Sequence, residues 1–494
     1  MSSGTIILVV LVLGVTVLGF VASRWGSANL KGLDEWALGG RAFGTVVSWF
    51  LLGGDLYTAY TFIAVPALVY GVGALGFFAV PYATIAYPIA LVVLSRFYSL
   101  ARERGYVTAA DFVRDRFGDR WLEVAIAVTG VLASLPYIAL QLDGMETVFA
   151  QLGGAFASAN GFIALLVAFV LLAGYTYTSG LRAPAMIAFV KDTLIYVTVI
   201  AAIVIIPAKL GGWAHIFAVS KVALAAKTPP GGIVLGPGQY FAYATWAFGS
   251  ALSLFIYPHS ITSVLAAKSL AVIRRNAALL PVYSLLLGFL ALLGFCALAA
   301  GYTTKNNSSV VPLLITQFFP DWFAGVAKAA IVIGALVPAA IMAIGAANLF
   351  ASNISSGFSP TRERGDATRS KFMTVGFCAI ALLLVYFMQP QYAIYFQLLG
   401  GAWMMQIFPA FALSLYTRWF HPKALLIGWA CGMLAATIMA IATGFKPNIT
   451  FGFGGASITG FLALYALAAN LAVAALLTPA FKNNENAPHE VYQS

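Results

Sequence analysis

A lysine and an aspartate stand side by side, Lys191-Asp192, in a run otherwise apolar enough for a membrane: APAMIAFVKDTLIYVTVIAAIVIIP, from Ala183 to Pro207. An amine and a carboxylate at that depth are groups that handle protons or ions. Each charge near a helix centre costs roughly 2.5–3.5 kcal/mol on insertion scales, so neither faces lipid unaided. A snorkelling lysine is the plain alternative, but Lys191 is eight residues from one end of the run and sixteen from the other. Neighbouring helical residues point about 100° apart. The expectation is therefore that the pair does not neutralise itself and that each member meets a different neighbouring helix.

A second carboxylate, Asp55, directly follows Gly53-Gly54 and precedes Tyr57, Thr58, Tyr60 and Thr61. Small residues in membrane helices often serve close packing alone. A carboxylate and four hydroxyls suit instead an unwound stretch lining a hydrated cavity. A later run, YFAYATWAFGSALSLFIYPHS, has Gly249-Ser250 in its middle and Pro258-His259 at its end. The expected half-helices begin after Gly53-Gly54 and after Gly249-Ser250, offering backbone N–H donors and dipole ends to an anionic group. Tyr57, Thr58, Tyr60 and Thr61 add hydroxyl donors, and Phe255 with Tyr257 closes the apolar side. Asp143 and Glu146, one turn apart, read as a solvated rim ahead of a vestibule. Gln141, Tyr257 and His259 either line the cavity or make interhelical hydrogen bonds.

Other chemistries find little material. Cys296, Cys378 and Cys431 lie in apolar runs, and the four histidines fit no ligand spacing, so no metal site, disulfide framework or cofactor is expected. No nucleophile–base set is visible at depth, which argues against an enzyme.

The elements that hold these residues follow from composition. Of 494 residues, 61% are hydrophobic and only 9% charged, against about 25% charged in soluble domains. The chain reads as an all-α polytopic membrane protein with no soluble domain. Thirteen apolar spans are expected, at about 5–23, 45–72, 76–95, 122–150, 161–180, 183–207, 239–258, 277–301, 323–356, 372–389, 393–417, 424–443 and 457–479. With the N-terminus outside, twenty Lys and Arg fall on the cytoplasmic side and six outside. That asymmetry predicts a cell-membrane protein with N-terminus out and C-terminus in. The net charge of +11 thus reflects topology and anionic lipid, not nucleic acid.

Paired, Gly/Pro-interrupted helices at matching positions in two halves are a transporter signature. Five spans lie from the second to the sixth, and five more begin at the seventh. An odd number per half inverts the second half relative to the first. The expected division is a first helix in 1–24, repeat 1 in 45–207, an outer loop in 208–238 and repeat 2 in 239–417. Two further helices in 424–481 and a short, polar, disordered cytoplasmic tail in 482–494 complete it.

Several stretches resemble the sodium:solute symporter family, whose members share the LeuT-type inverted-repeat fold. They are EWALGGRAFG from Glu35, GGDLYTAYT at 53–61, GYVTAADFVRDRFGDR at 105–120 and LPYIALQLDGM at 135–145. YTYTSGLRAPAMIAFVKD at 175–192 and PHSITSVLAAKSLAVIRRN at 258–276 complete the set. The resemblance runs from Glu35 to about Ser356. The wording is most similar to the family's bacterial monocarboxylate permeases, which take up lactate, pyruvate and alanine. It implies a secondary transporter importing small monocarboxylates.

By the resemblance, Gly53, Asp55 and Leu56 match the break in the first core helix, where proline permeases carry an aspartate tied to ion coupling. Asp192 matches the acidic residue of a Thr-Asp-x-x-Gln pattern in the fifth core helix. Here Lys191 replaces the threonine and Ile195 the glutamine. The eighth core helix of the family offers two adjacent hydroxyls to sodium, whereas PAAIMAIGAANLF puts Ala343 and Ile344 there. An amine gained on one helix and oxygen ligands lost on another fit one explanation, a lysine in the place of the missing ion. Lys191, Asp192 and Asp55 are then the ion-coupling set, with proton coupling placed ahead of sodium coupling. A fixed structural cation, and an uncoupled facilitator, stay open.

Overall fold

The computed structural model describes residues 2–24, 31–54, 58–152, 162–304, 306–355, 367–387, 393–453 and 456–485. Most of them are helical, because a backbone in lipid must satisfy its own polar groups. Helices α1 (Ser3–Val21) and α2 (Leu33–Leu38) precede a broken pair, α3 (Thr45–Gly54) and α4 (Val65–Val72), the second entered through a π-helical turn at Tyr60–Ala64. Then come α5 (Ala79–Arg104), a short α6 (Ala109–Phe117), α7 (Arg120–Phe149), α8 (Phe162–Ser179) and α9 (Arg182–Lys209). A connecting α10 (Gly212–Ala225) leads to a second broken pair, α11 (Tyr240–Leu254) and α12 (Pro258–Leu265), bent by 49°.

The same order then recurs. Helices α13 (Leu270–Leu279) and α14 (Tyr283–Ala299) are followed by a short α15 (Val310–Phe318) and a long α16 (Asp321–Leu349) ending in a π-helical turn at Phe350–Ile354. Next are α17 (Thr368–Phe387) and α18 (Ala393–Met405), the latter bent by 41° into α19 (Phe408–Phe411). Helices α20 (Pro422–Ala442) and α21 (Leu462–Glu485) flank the antiparallel hairpin of β1 (Asn448–Phe453) and β2 (Ala456–Phe461).

Among the described residues nine helices are long and apolar enough to cross a membrane, and eleven spans result if each bent pair counts as one. The expected spans at 45–72 and 161–180 appear as shorter apolar helices, α3 with α4 and α8. The last expected span, 457–479, needs correction: residues 456–461 form a strand and the helix starts at Leu462. Alternating Ile449, Phe451 and Phe453 before Gly454-Gly455, and Ala456 and Ile458 after it, carry that hairpin signal, which an apolar count ignores.

Helix α16 lies at the centre. It packs on α1, α7, α9, α12 and α17 and is buried along its whole apolar length. Helix α1 is pinned to its start, where Asp321 Oδ2 accepts from the Gly4 amide at 2.7 Å and the Ser3 hydroxyl at 2.8 Å. Lipid-grade residues point outward instead on α1 and α9, where Val10, Val17, Ile200 and Val204 are exposed. On α9 the opposite face, which carries Lys191 and Asp192, is wholly buried.

Candidate functional site

The two charges of α9 close on each other. Lys191 Nζ lies 2.8 Å from Asp192 Oδ1, an ion-pair distance. This corrects the expectation that adjacent helical positions cannot pair. Four methylenes let the lysine stem fold around the 100° between them, and burial of both side chains favours the closed form. The part of the expectation that survives is the reach to another helix. Asp192 Oδ2 accepts from the Tyr283 hydroxyl of α14 at 3.0 Å. Tyr283 in turn packs on Trp49 of α3, ring centroids 5.1 Å apart.

The end of α3 explains both glycines by approach. A Cβ built on Gly53 falls 2.3 Å from the Tyr283 hydroxyl, and one on Gly54 falls 3.3 Å from Lys191 Nζ and 3.8 Å from Val337 of α16. Real Cβ atoms do not come that close at Gly53, so only glycine admits the tyrosine. The amine therefore sits where α3 stops, with α9 behind it and α16 alongside. Ala343 and Ile344 are not beside it: they lie six and seven residues beyond Val337, about 9–10 Å further along α16. The lysine and the run without hydroxyls share a helix interface but stand at different levels.

Asp55, Leu56 and Tyr57 fall outside the described residues. The chain resumes with a bend at Thr58, just before the π-helical turn. Its donors are already used. Gln141 Oε1 of α7 accepts from the Ala59 amide at 2.8 Å, and Thr58 Oγ1 accepts from the Tyr60 amide at 3.0 Å. The Thr61 and Phe62 amides both donate to the Thr58 carbonyl at 3.1 Å. Thr58 and Thr61 are buried in this turn. Among the described residues the expectation of amides open to an anion at this terminus does not hold, because Gln141, the Thr58 hydroxyl and the Thr58 carbonyl accept from Ala59 to Phe62. Gln141 makes the interhelical bond that was one of its two readings.

The second break is also displaced. Gly249-Ser250 lies inside the continuous α11, and the chain bends at Phe255–Tyr257. Pro258 is the cause: it opens α12 and holds Tyr257 extended, at φ −59° and ψ 147°. Gly249 serves close packing, since a Cβ there meets the Phe461 ring at 2.5 Å. Phe255 and Tyr257 do not close one wall together. Phe255 lines an apolar cavity of about 50 Å³ with Leu52, Tyr87, Ala90, Val264 and Ile273. Tyr257 lines another, of about 30 Å³, with Tyr60, Tyr82, Tyr137, Ser250, Ser253 and Gln397.

That second cavity is the polar one. The Tyr257 hydroxyl and Gln397 Oε1 are buried without a hydrogen-bond partner among the described residues, and so are both ring nitrogens of His259. The Tyr137 ring stands 5.7 Å from that of Tyr257 and 5.6 Å from His259. Buried polar groups left unpaired are exceptions that call for a ligand or water. Tyr82, Tyr137, Ser253, Gln397 and Tyr283 were not singled out in the sequence. Each is a lone polar residue in an apolar run; only the meeting of α5, α7, α11 and α18 makes the first four a set, while Tyr283 of α14 joins the charge pair. Asp143 also departs from expectation: it is 3% exposed, not a solvated rim, while Glu146 is half-buried. Its turn of α7 is covered by the helix break, Gly144 facing Ala59.

The model of the sodium:solute symporter family matches residues 36–432. The chain belongs to the sodium:solute symporter family. A monocarboxylate transport permease protein of Rhizobium johnstonii is 50% identical over 94% of this chain and 94% of its own length. An uncharacterized symporter of Bacillus subtilis, YodF, is 34% identical over 97% of this chain and 94% of that protein. A sodium/proline symporter of Staphylococcus aureus is 25% identical over 51% of this chain and 48% of its own length. The fold matches the solved substrate-bound, outward-open structure of a Na⁺-coupled sialic acid symporter. Their TM-score is 0.77 at 15% identity, covering 97% of this chain and 98% of that one. As a family member the protein is a multi-pass secondary symporter with a LeuT-like fold, not an enzyme.

Proposed function

We propose that this symporter imports small monocarboxylates such as lactate and pyruvate, with alanine a further candidate, and that a proton travels with them by alternating access. The observation that carries the coupling is the buried Lys191–Asp192 pair pressed against Gly54 at the break of the first core helix. In one access state the ammonium balances Asp192; in the other the amine is neutral and its proton has left with the substrate. The 50% identical permease named for monocarboxylate transport supports the substrate class.

The substrate seat in this reading is the cavity around Tyr257, where phenol, serine and amide groups offer neutral hydrogen bonds to one carboxylate. At about 30 Å³ it holds a water or two and has to widen to admit a three-carbon acid. No arginine lines that cavity, so a dicarboxylate finds no second cationic partner there. The membrane arrangement we propose has thirteen spans, adding the pair α3 with α4 and helix α8 to the eleven. It has the N-terminus out, the C-terminus in, and two inverted five-helix repeats at 45–207 and 239–417. The recurring element order supports the repeats.

Sodium coupling is the second reading, favoured by the sodium/proline symporters among the relatives. Uptake in sodium-free buffer at two outside pH values decides between them. Proton coupling predicts accumulation that rises as outside pH falls and disappears with a protonophore. Uptake that requires sodium and ignores pH overturns it. Lactate, pyruvate and propionate should compete, and succinate and glucose should not; competition by glucose alone would sink the substrate class.

A further inference from the structure

A further cavity shares no lining residue with the one around Tyr257. It is a cleft of about 540 Å³ where the end of α5, the second half of α6 and the turn before α20 meet. Its lining combines four arginines, Arg96, Arg104, Arg116 and Arg418, with apolar walls that include Leu100, Phe112, Phe117 and Phe420. One carboxylate, Asp115, faces it, and that group is engaged by Arg104 and the Tyr106 hydroxyl, each at 2.5 Å.

The other three guanidinium groups have no carboxylate partner among the described residues. Arg116 donates to the Thr417 carbonyl at 2.9 Å, and Arg96 lies 4.7 Å from the centre of the Tyr416 ring. Burial, followed by the positive charges of Arg418 and Arg96, holds the Arg116 guanidinium below its ordinary value. Three guanidinium groups lining one cleft, whose single carboxylate is taken by Arg104 and Tyr106, form a seat for an anion. Tyr416 and Trp419 beside it are half-exposed aromatics of the type that sits at headgroup level. A free phosphate needs no aromatic rim and no apolar wall; a headgroup with acyl chains uses both.

We propose that this cleft binds the phosphodiester headgroup of an anionic phospholipid of the cytoplasmic leaflet, its glycerol and first methylenes lying along Phe117, Leu100 and Phe420. Only the word cytoplasmic rests on the membrane orientation proposed above. The headgroup contacts do not, so the site is tested without reference to transport or topology.

Native mass spectrometry of the full-length protein, delipidated in neutral detergent and titrated with phosphatidylglycerol or phosphatidylcholine, provides the test. Phosphatidylglycerol should be retained and phosphatidylcholine should not. Arg96→Gln and Arg418→Gln, both at exposed positions, should each weaken retention about fivefold, and the double variant about 25-fold. Arg275→Gln, an exposed arginine on α13, should leave it unchanged. Asp115→Asn should tighten it, since Arg104 is then released to the anion, and this variant keeps the test informative if the double variant is unstable. Equal retention of the two lipids, or wild-type retention in the double variant, overturns the proposal. Displacement by millimolar inorganic phosphate also overturns it, because the cleft is then a site for the free anion.

Discussion

Lys191 and Asp192 form a unit in which each partner makes the other tolerable. Removing one side of a buried pair leaves an uncompensated charge and costs about 3–5 kcal/mol, whereas replacing both with apolar residues is close to neutral. Lys191→Met should therefore lower the thermal unfolding temperature in detergent more than Lys191→Met/Asp192→Leu does, while both abolish proton-driven accumulation. Equal destabilisation by the single and double variants would show that the contact is incidental. The two glycines give a graded companion test. Gly53→Ala drives a methyl into the Tyr283 hydroxyl and should pull that hydroxyl off Asp192, at about 1–3 kcal/mol in stability. Gly54→Ala meets the mobile end of Lys191 at 3.3 Å, so its initial uptake rate should fall less.

The broken helices differ in how their ends are satisfied. At the first break Gln141 and Thr58 occupy the amides, so Gln141→Leu strands the Ala59 N–H and should cost about 1–3 kcal/mol. At the second, the Tyr257 hydroxyl bonds to nothing among the described residues. Tyr257→Phe should thus leave thermal unfolding unchanged. If that hydroxyl holds the substrate carboxylate, KM for lactate rises about tenfold or more, the equivalent of one hydrogen bond to a charged group. An unchanged KM would move the substrate away from this cavity and towards Lys191.

The whole molecule is a recurring order of elements closed around α16, with α1 docked on its outside and the α20–α21 pair beyond. The proposed orientation places the connection after α20 outside and that after α12 inside. A cysteine at Lys446 should react with an impermeant maleimide in intact cells, and a cysteine at Arg275 only after lysis. The reverse pattern would invert the topology and with it the leaflet facing the arginine cleft. Both positions are exposed, so labelling reads location and not local packing.

Hydropathy and charge are properties that add residue by residue, and so the sequence alone determined the membrane class and most of the spans. The wording of its motifs carried the family, and Gly53-Gly54 and Lys191-Asp192 marked one helix break and one buried charge site. Who meets whom depends on adjoining helices and side-chain reach, which no run of residues encodes locally. Tertiary structure alone decided that Lys191 folds onto its neighbour and that Tyr283 completes the pair. It also decided that the second helix bends at Pro258, where the proline forbids the preceding residue a helical backbone, and not at Gly249, where Phe461 needs the space. The arginines of α5, α6 and the turn before α20 are scattered over more than three hundred positions. They become a cleft only because α6 folds back beneath α19.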